Sequence, residues 1–355
     1  MDTVVELLHR GAERYGNKPY LGQKFGGEWK TTSYAEADRL SSALAAALVA
    51  RGFSPGDNVA ILSEGRTSWV VGEFGLLKAG CVSVPLSTKL SPEEILFRLD
   101  HSEARAILVS ENNFQKAADI LDRARRKPTV VCISDRSEGM SAMAAKAGLT
   151  EGKDLLYYSE LLAEGEAALS GPGGNEAAAR LEAIERGLSP DDTVTICYTS
   201  GTTGNPKGIM LTHRNYLHNA TMAAEVVEVQ EGWKSLIMLP LDHSFAHTVG
   251  IYIFLYRGLT MYFVDAQGGP LAALRNLPKN LTEVNPAFLL TVPALSGNFM
   301  KKMIQGVAEK GPLIDGIFRR GLAAANRLVA EHVPPGAITG KRRIALCLDI
   351  GIRRV

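Results

Sequence analysis

Hydrophobic positions along this chain alternate between two periods. Spacings of three to four predict helices, and short β-branched or continuous apolar runs predict strands. The first sixteen residues carry a helical amphipathic pattern with acidic side chains and no signal-peptide cleavage signature. Tyr34 to Ala50 is the first clear helix, with an S-x-x-E capping box at Ser33 and Glu36 and Gly52 after its end. Asn58 to Leu62 predicts a strand, Arg66 to Lys78 a helix closed by Gly80, and Cys81 to Pro85 a strand. Ser91 and Glu94 form a second capping box before a helix through Leu99. Ala104 to Val109 and Thr129 to Ile133 are further short strands with a helix between them. Residues 135–175 include SEGMSAMAAKAG and LSGPGGNE, rich in small residues and weakly periodic, and predict an irregular surface excursion. A helix from Glu176 to Arg186 follows. Strands are then expected near 193–198, 235–239, 260–264 and 287–292, with helices between. This alternation predicts an α/β fold. The expected division falls near residue 187, giving two adjoining α/β subdomains, 1–187 and 188–355.

Composition narrows the function. Of 355 residues, 46% are hydrophobic and 22% charged, which excludes wholesale disorder. Lys plus Arg number 39 and Asp plus Glu 38, so no global charge favours nucleic acid as a partner. No uncharged apolar stretch reaches the roughly 20 residues needed to span a bilayer; the greasiest, Thr248 to Tyr256, stops at Arg257. Cys81, Cys132, Cys197 and Cys347 are far apart, each in an apolar run, and read as buried free thiols of a reducing cytosol. A cytoplasmic location is expected, compatible with peripheral membrane contact.

The chemistry concentrates in Thr193 to Tyr216. An apolar strand (Val194, Ile196, Tyr198) feeds Thr199-Ser200-Gly201-Thr202-Thr203-Gly204, then Asn205-Pro206-Lys207-Gly208 and a helix opening at Thr212. Glycines let the backbone approach phosphate oxygens and turn N–H groups toward them. Hydroxyls donate further hydrogen bonds, and Lys207 adds a point charge. The spacing is not that of a Walker A loop, where the Lys follows the Gly directly and a hydroxyl follows the Lys. A dinucleotide G-x-G-x-x-G is absent too.

At YTSGTTGNPKG, residues 198–208, the chain resembles the adenylate-forming superfamily of acyl-CoA synthetases, luciferases and peptide-synthetase adenylation domains. The resemblance runs from the helix before Asn58 to about residue 310. The flanking CYTSGTTGNPKGIMLTHRNY, with LIMLPLDHSFAHTVG at 236–250, is similar to long-chain fatty acid–CoA ligases. The resemblance implies the large N-terminal domain of these enzymes and a two-step reaction. A carboxylate is joined to AMP with loss of pyrophosphate, and the acyl group then passes to CoA. ATP, Mg2+ and CoA are the implied cofactors, and a fatty acid the substrate. Ser200, Gly201, Thr202, Thr203, Gly204 and Lys207 are implied to hold the β- and γ-phosphates, with the Thr199 hydroxyl near magnesium. His243 falls where the family carries an aromatic or histidine beside the α-phosphate and the substrate carboxylate, so catalytic roles go to His243 and Lys207. Phe245, Val249, Val292 and Pro293 are implied walls of the acyl trench. His247, four residues after His243, invites a shared helix face; the pair has metal-ligand spacing but no third ligand in view. His213 reads as a helix-start residue.

Further family motifs are missing from these 355 residues. Thr282-Glu283 lacks the Tyr-Gly of Y-G-x-T-E, and Pro55-Gly56-Asp57 precedes a strand instead of forming T-G-D. The mobile C-terminal domain with its late catalytic Lys would lie after residue 355. The expectation is a truncated form that makes little acyl-adenylate alone; a separate C-terminal half is an alternative partner. The alternatives are a nucleotide- or acyl-binding remnant without turnover, and an enzyme adenylating another carboxylate. Asp242 keeps open an amino-acid substrate, whose ammonium would need a carboxylate.

Overall fold

Both predicted capping boxes form. In the computed structural model, which describes residues 1–134, 137–199 and 206–330, Ser33 Oγ accepts the Glu36 N–H and the Glu36 carboxylate accepts the Ser33 N–H. Ser91 and Glu94 repeat the exchange. Contacts divide the chain into two compact units, residues 1–290 and 291–355.

The first unit begins with α1 (Val4–Tyr15), the hairpin β1 (Pro19–Phe25) and β2 (Glu28–Ser33), and α2 (Tyr34–Ala50). Then follow β3 (Asn58–Leu62), α3 (Thr67–Lys78), β4 (Val82–Leu86), α4 (Pro92–His101), β5 (Ala106–Val109), α5 (Phe114–Ala118) and β6 (Thr129–Cys132). Next come α6 (Glu138–Lys146), β7 (Leu155–Tyr157), α7 (Tyr158–Ser170), α8 (Gly174–Gly187), β8 (Thr193–Thr199), β9 (Lys207–Thr212) and α9 (His213–Val226). The unit closes with β10 (Lys234–Ile237), α10 (Ser244–His247), a π-helical turn (Thr248–Ile253), α11 (Phe254–Arg257), β11 (Thr260–Phe263) and α12 (Pro270–Val284).

Two sheets result. The larger runs β7-β6-β5-β3-β4-β8-β9, parallel except for β9, which returns antiparallel to β8. The smaller runs β10-β11-β1-β2, with β2 antiparallel. Parallel strands need cover on both faces, which accounts for unbroken runs such as Val59-Ala60-Ile61-Leu62, all fully buried. α3 is buried along most of its length, including Glu73 and Lys78. Lys78 Nζ is satisfied by Asp38 Oδ1 at 2.6 Å and Ser42 Oγ at 2.8 Å on α2.

Three expectations need correction. The sheets cut across residue 187: β1 and β2 join strands from 234–263, while β8 and β9 complete the sheet built from 58–157. Pairing between distant segments decides this, and no local period reports it. Residues 135–175 are not an irregular excursion. β7 pairs with β6, and α7 buries Leu161 and Gly165 against α2. Its small residues are what allow the helices to approach. The strand expected at 287–292 does not form a ladder: the Ala287 N–H bonds to the Lys234 carbonyl and Phe288 O accepts from Ser235 Oγ, and no strand is made.

The second unit contains α13 (Pro293–Ala308) and α14 (Pro312–Ala330).

Candidate active site

The hairpin of β8 and β9 brings the two ends of the hydroxyl-glycine loop together. Thr199 and Lys207 are register partners across it, and both are exposed. Ser200, Gly201, Thr202, Thr203 and Gly204 lie outside the described residues. The strands at the loop's base are held on both faces. Thr195 Oγ1 lies 2.7 Å from the Tyr216 hydroxyl of α9. On the other face the Tyr198 hydroxyl lies 2.8 Å from His101 Nδ1, and the Arg98 guanidinium sits 5.4 Å from the Tyr198 ring centre. The Thr212 hydroxyl accepts the Asn215 N–H and starts α9.

The second part of the site is the turn after β10. The His243 N–H bonds to the Pro240 carbonyl at 3.2 Å. His243 is the N-cap of α10, its Nδ1 accepting the Phe245 N–H at 3.3 Å. With Nδ1 accepting, the neutral ring carries its hydrogen on Nε2, ready to donate outward. Asp242 stands beside the segment that follows β4. Burial holds its carboxyl above the usual range, opposed by its own backbone N–H, His243, the Ser87 hydroxyl and Lys89. The turn thus meets the carboxyl end of β4, whose neighbour is β8. In open α/β sheets the crevice outside the carboxyl ends of the strands is where ligands bind.

Each remaining candidate has a definite place. Phe245 is exposed on α10, and Val249 is partly buried against the core. Val292 and Pro293 belong to the second unit, where Val292 is the exposed N-cap of α13 and Pro293 its first residue. His243 and His247 do not share a face: one caps the helix at the surface and the other is fully buried. His213 is the first residue of α9. Its Nδ1 accepts the Val4 N–H, and burial holds its pKa down to about 4 against the pull of Asp192. Glu283 is bound to Lys24 Nζ at 2.6 Å and Trp29 Nε1 at 3.0 Å, and Asp57 pairs with Arg105. Burial raises the Cys81 thiol to about 12 and Cys132 to about 11. Cys347 lies outside the described residues. Sequence reasoning missed Glu73, whose signal was a lone carboxylate in the run Trp69-Val70-Val71-Gly72-Glu73-Phe74-Gly75-Leu76-Leu77. It also missed the hold of His101 and Tyr216 on the loop-bearing strand.

Among the described residues, no three His, Cys, Asp or Glu side chains are grouped to hold a metal ion. The Thr199 hydroxyl is a hard oxygen donor, which suits a magnesium ion that draws its other ligands from phosphate and water. No helix among the described residues is long and apolar enough to cross a membrane.

The profile of the AMP-binding enzyme family matches residues 8–338. The chain belongs to this family. Among relatives of the AMP-binding chain, a chloroplastic long-chain-fatty-acid–[acyl-carrier-protein] ligase of Arabidopsis thaliana is 28% identical over 82% of the chain and 38% of the relative. A peroxisomal long chain acyl-CoA synthetase of the same plant is 28% identical over 89% and 42%. The chain therefore spans less than half the length of these relatives. The adenylation domain of a carboxylate reductase from Mycobacterium chelonae superposes with a TM-score of 0.72 at 23% identity, over 87% of this chain and 49% of that one. The N-terminal domain of FACL13 from Mycobacterium tuberculosis gives 0.59 at 23% identity, over 85% and 65%. At that identity the solved structures establish the fold, which is that of N-terminal adenylation domains.

Proposed function

We propose that this chain is the nucleotide- and carboxylate-binding part of a long-chain fatty acid–CoA ligase. The observation that carries this reading is the register of Thr199 opposite Lys207 at the ends of the signature loop, beside the strand whose carboxyl end meets the Asp242–His243 turn.

In the first step a fatty-acid carboxylate oxygen attacks the α-phosphorus of ATP in line. The new C–O–P linkage forms as the bond to the β-phosphate oxygen breaks, giving acyl-AMP and pyrophosphate. Both reactants are anionic, so positioning and charge neutralisation dominate. The Lys207 ammonium neutralises the departing phosphates, and the loop hydroxyls with Thr199 orient them. His243, with Nε2–H outward, donates to the carboxylate or an α-phosphate oxygen and holds them in register. The Thr199 hydroxyl would help hold a magnesium ion, which would supply further positive charge. In the second step the CoA sulfur displaces AMP and a thioester forms. Phe245 and Val249 of the first unit are assigned to the acyl chain.

The test is binding of MgATP to the purified chain by calorimetry, alongside fatty-acid-dependent ATP–pyrophosphate exchange over long-chain, aryl and amino-acid carboxylates. K207A is expected to weaken ATP binding about tenfold or more, the worth of a charged hydrogen bond. Exchange by this chain alone is expected to be low, because no Y-G-x-T-E or T-G-D motif occurs in it. ATP affinity unchanged in K207A overturns the assignment. Exchange driven best by an aryl or amino acid overturns the fatty-acid class.

A further inference from the structure

Next to the Asp242–His243 turn lies a polar cluster sealed from solvent. Glu73 and His247 are both fully buried, with Glu73 Oε2 3.1 Å from His247 Nε2. His247 Nδ1 is 3.1 Å from the Leu241 carbonyl oxygen, and Nε2 is 3.2 Å from the Tyr252 hydroxyl. The Tyr216 ring stacks on the imidazole at 5.1 Å and 24°, and Trp69 meets it edge-on at 5.5 Å. Neither Glu73 oxygen has a well-aligned hydrogen bond, and the buried Tyr20 hydroxyl has no partner among the described residues. The 3.1 Å approach is thus a close contact and not a linear hydrogen bond.

The geometry decides where the hydrogens are. A carbonyl oxygen only accepts, so Nδ1 carries a hydrogen. Nε2 has the Tyr252 hydroxyl as its hydrogen-bond partner, with the Glu73 carboxyl beside it. Such a buried pair is typically neutral or unfavourable for stability against apolar side chains of the same volume, so packing alone does not account for it. The cluster reaches both halves of the candidate site. Through Leu241 it touches the residue before Asp242. Through Tyr216 and Thr195 it reaches β8, the strand that enters the phosphate loop. A π-helical turn begins directly after His247, a deviation from α-helix that is frequent at functional sites.

We propose that Glu73 and His247 form a positioning pair, in which the anchored imidazole fixes the Leu241 carbonyl, sets the turn presenting Asp242 and His243, and ties it to β8. The pair touches no substrate and acts through the turn. It rests on the reading of that turn as the substrate-carboxylate site. The groups facing His247 are Glu73 and Trp69 from α3, Tyr216 from α9 and Tyr252 from the π-helical turn; Tyr20 of β1 and Cys197 of β8 lie within the field of Glu73.

The experiment uses the whole chain with histidine labelled by 15N, and a non-hydrolysable long-chain acyl-adenylate analogue as probe. An imidazole N–H resonance protected from exchange is expected in the parent chain and absent in H247Q. E73Q, and the apolar double variant E73L/H247F should the first fold poorly, are each expected to weaken the analogue about tenfold, the worth of one charge-assisted contact. The double variant is expected to unfold at no lower denaturant concentration than the parent, which separates positioning from stability. No protected imidazole N–H, or analogue affinity unchanged in the double variant, overturns the pair. H243A serves as reference. Binding lost in H243A but kept in E73Q overturns the pair and leaves the site standing, whereas binding unchanged in H243A overturns the site reading. If no form binds the analogue, the backbone amides of Asp242 and His243 decide: E73Q must shift them, and their constancy overturns the proposal.

Discussion

A single methyl group tests how α7 meets α2. A Cβ at Gly165 would overlap the Ala43 carbonyl oxygen and lie 2.5 Å from its carbon and 3.0 Å from the Ala43 Cα. Carbon atoms in contact normally sit about 3.5–4.0 Å apart, so in G165A the helices must separate by roughly an ångström. The obstacle is helix backbone, which cannot swing aside as a side chain would. Alanine returns about 1 kcal/mol of helix propensity over glycine. Overpacking costs about 1–3 kcal/mol, and the retreat also loosens Leu161, only 1% exposed beneath α7. Backbone obstruction places this case at the upper end, so G165A is expected to be destabilised by about 2 kcal/mol net. Gly139 supplies the control. It is an exposed position in α6 whose added Cβ would meet only Ser137 Oγ at 3.9 Å. There G139A is expected to stabilise by about 0.5–1 kcal/mol. Urea unfolding followed by tryptophan fluorescence reads both. G165A with a midpoint at or above the parent would refute the close α2–α7 packing.

Two other perturbations probe the charges that tie the helices. K78M is expected to cost about 3 kcal/mol in the same assay, because Lys78 is fully buried and Asp38 would keep its charge with one partner fewer; D38N/K78M should recover part of that loss. The pH dependence pivots on two histidines of opposite sense. His9 is raised from 6.5 to about 9 by its hydrogen bonds to Asp38 and Glu185, so its contribution is complete below pH 6.5 and lost as pH rises through 9. His213 is lowered to about 4 by burial, so its contribution is complete above pH 6.5 and lost as pH falls to 4. Melting temperatures from pH 4 to 10 should show H9Q removing the alkaline decline and H213Q flattening the acid one. Declines left unchanged in both variants would refute these assignments.

Much of the site was legible because its chemistry is written locally. The proposal of phosphate binding for the run from Tyr198 to Gly208 rests on residue type alone, and the apolar strand before it and the helix cap after it border it. The same holds for elements closed by local hydrogen bonds. Tyr34–Ala50 and Asn58–Leu62 were read to the residue, since caps and glycines border them. The β1–β2 hairpin went unread because its apolar positions are split between a buried strand and a largely exposed one, and its partner β11 lies more than 200 residues away. The 287–292 segment carries a strand's composition without forming a ladder, because composition does not report pairing.

The family, the signature loop and the periods of most helices follow from the amino-acid sequence itself, for each depends on residues within a few positions of one another. Tertiary structure alone decided which strands share a sheet, why Gly165 must be glycine, and that His243 faces out while His247 turns inward to Glu73. Those outcomes depend on backbone approach and on the burial of a charge beside its partner, and neither is encoded at short range along the chain.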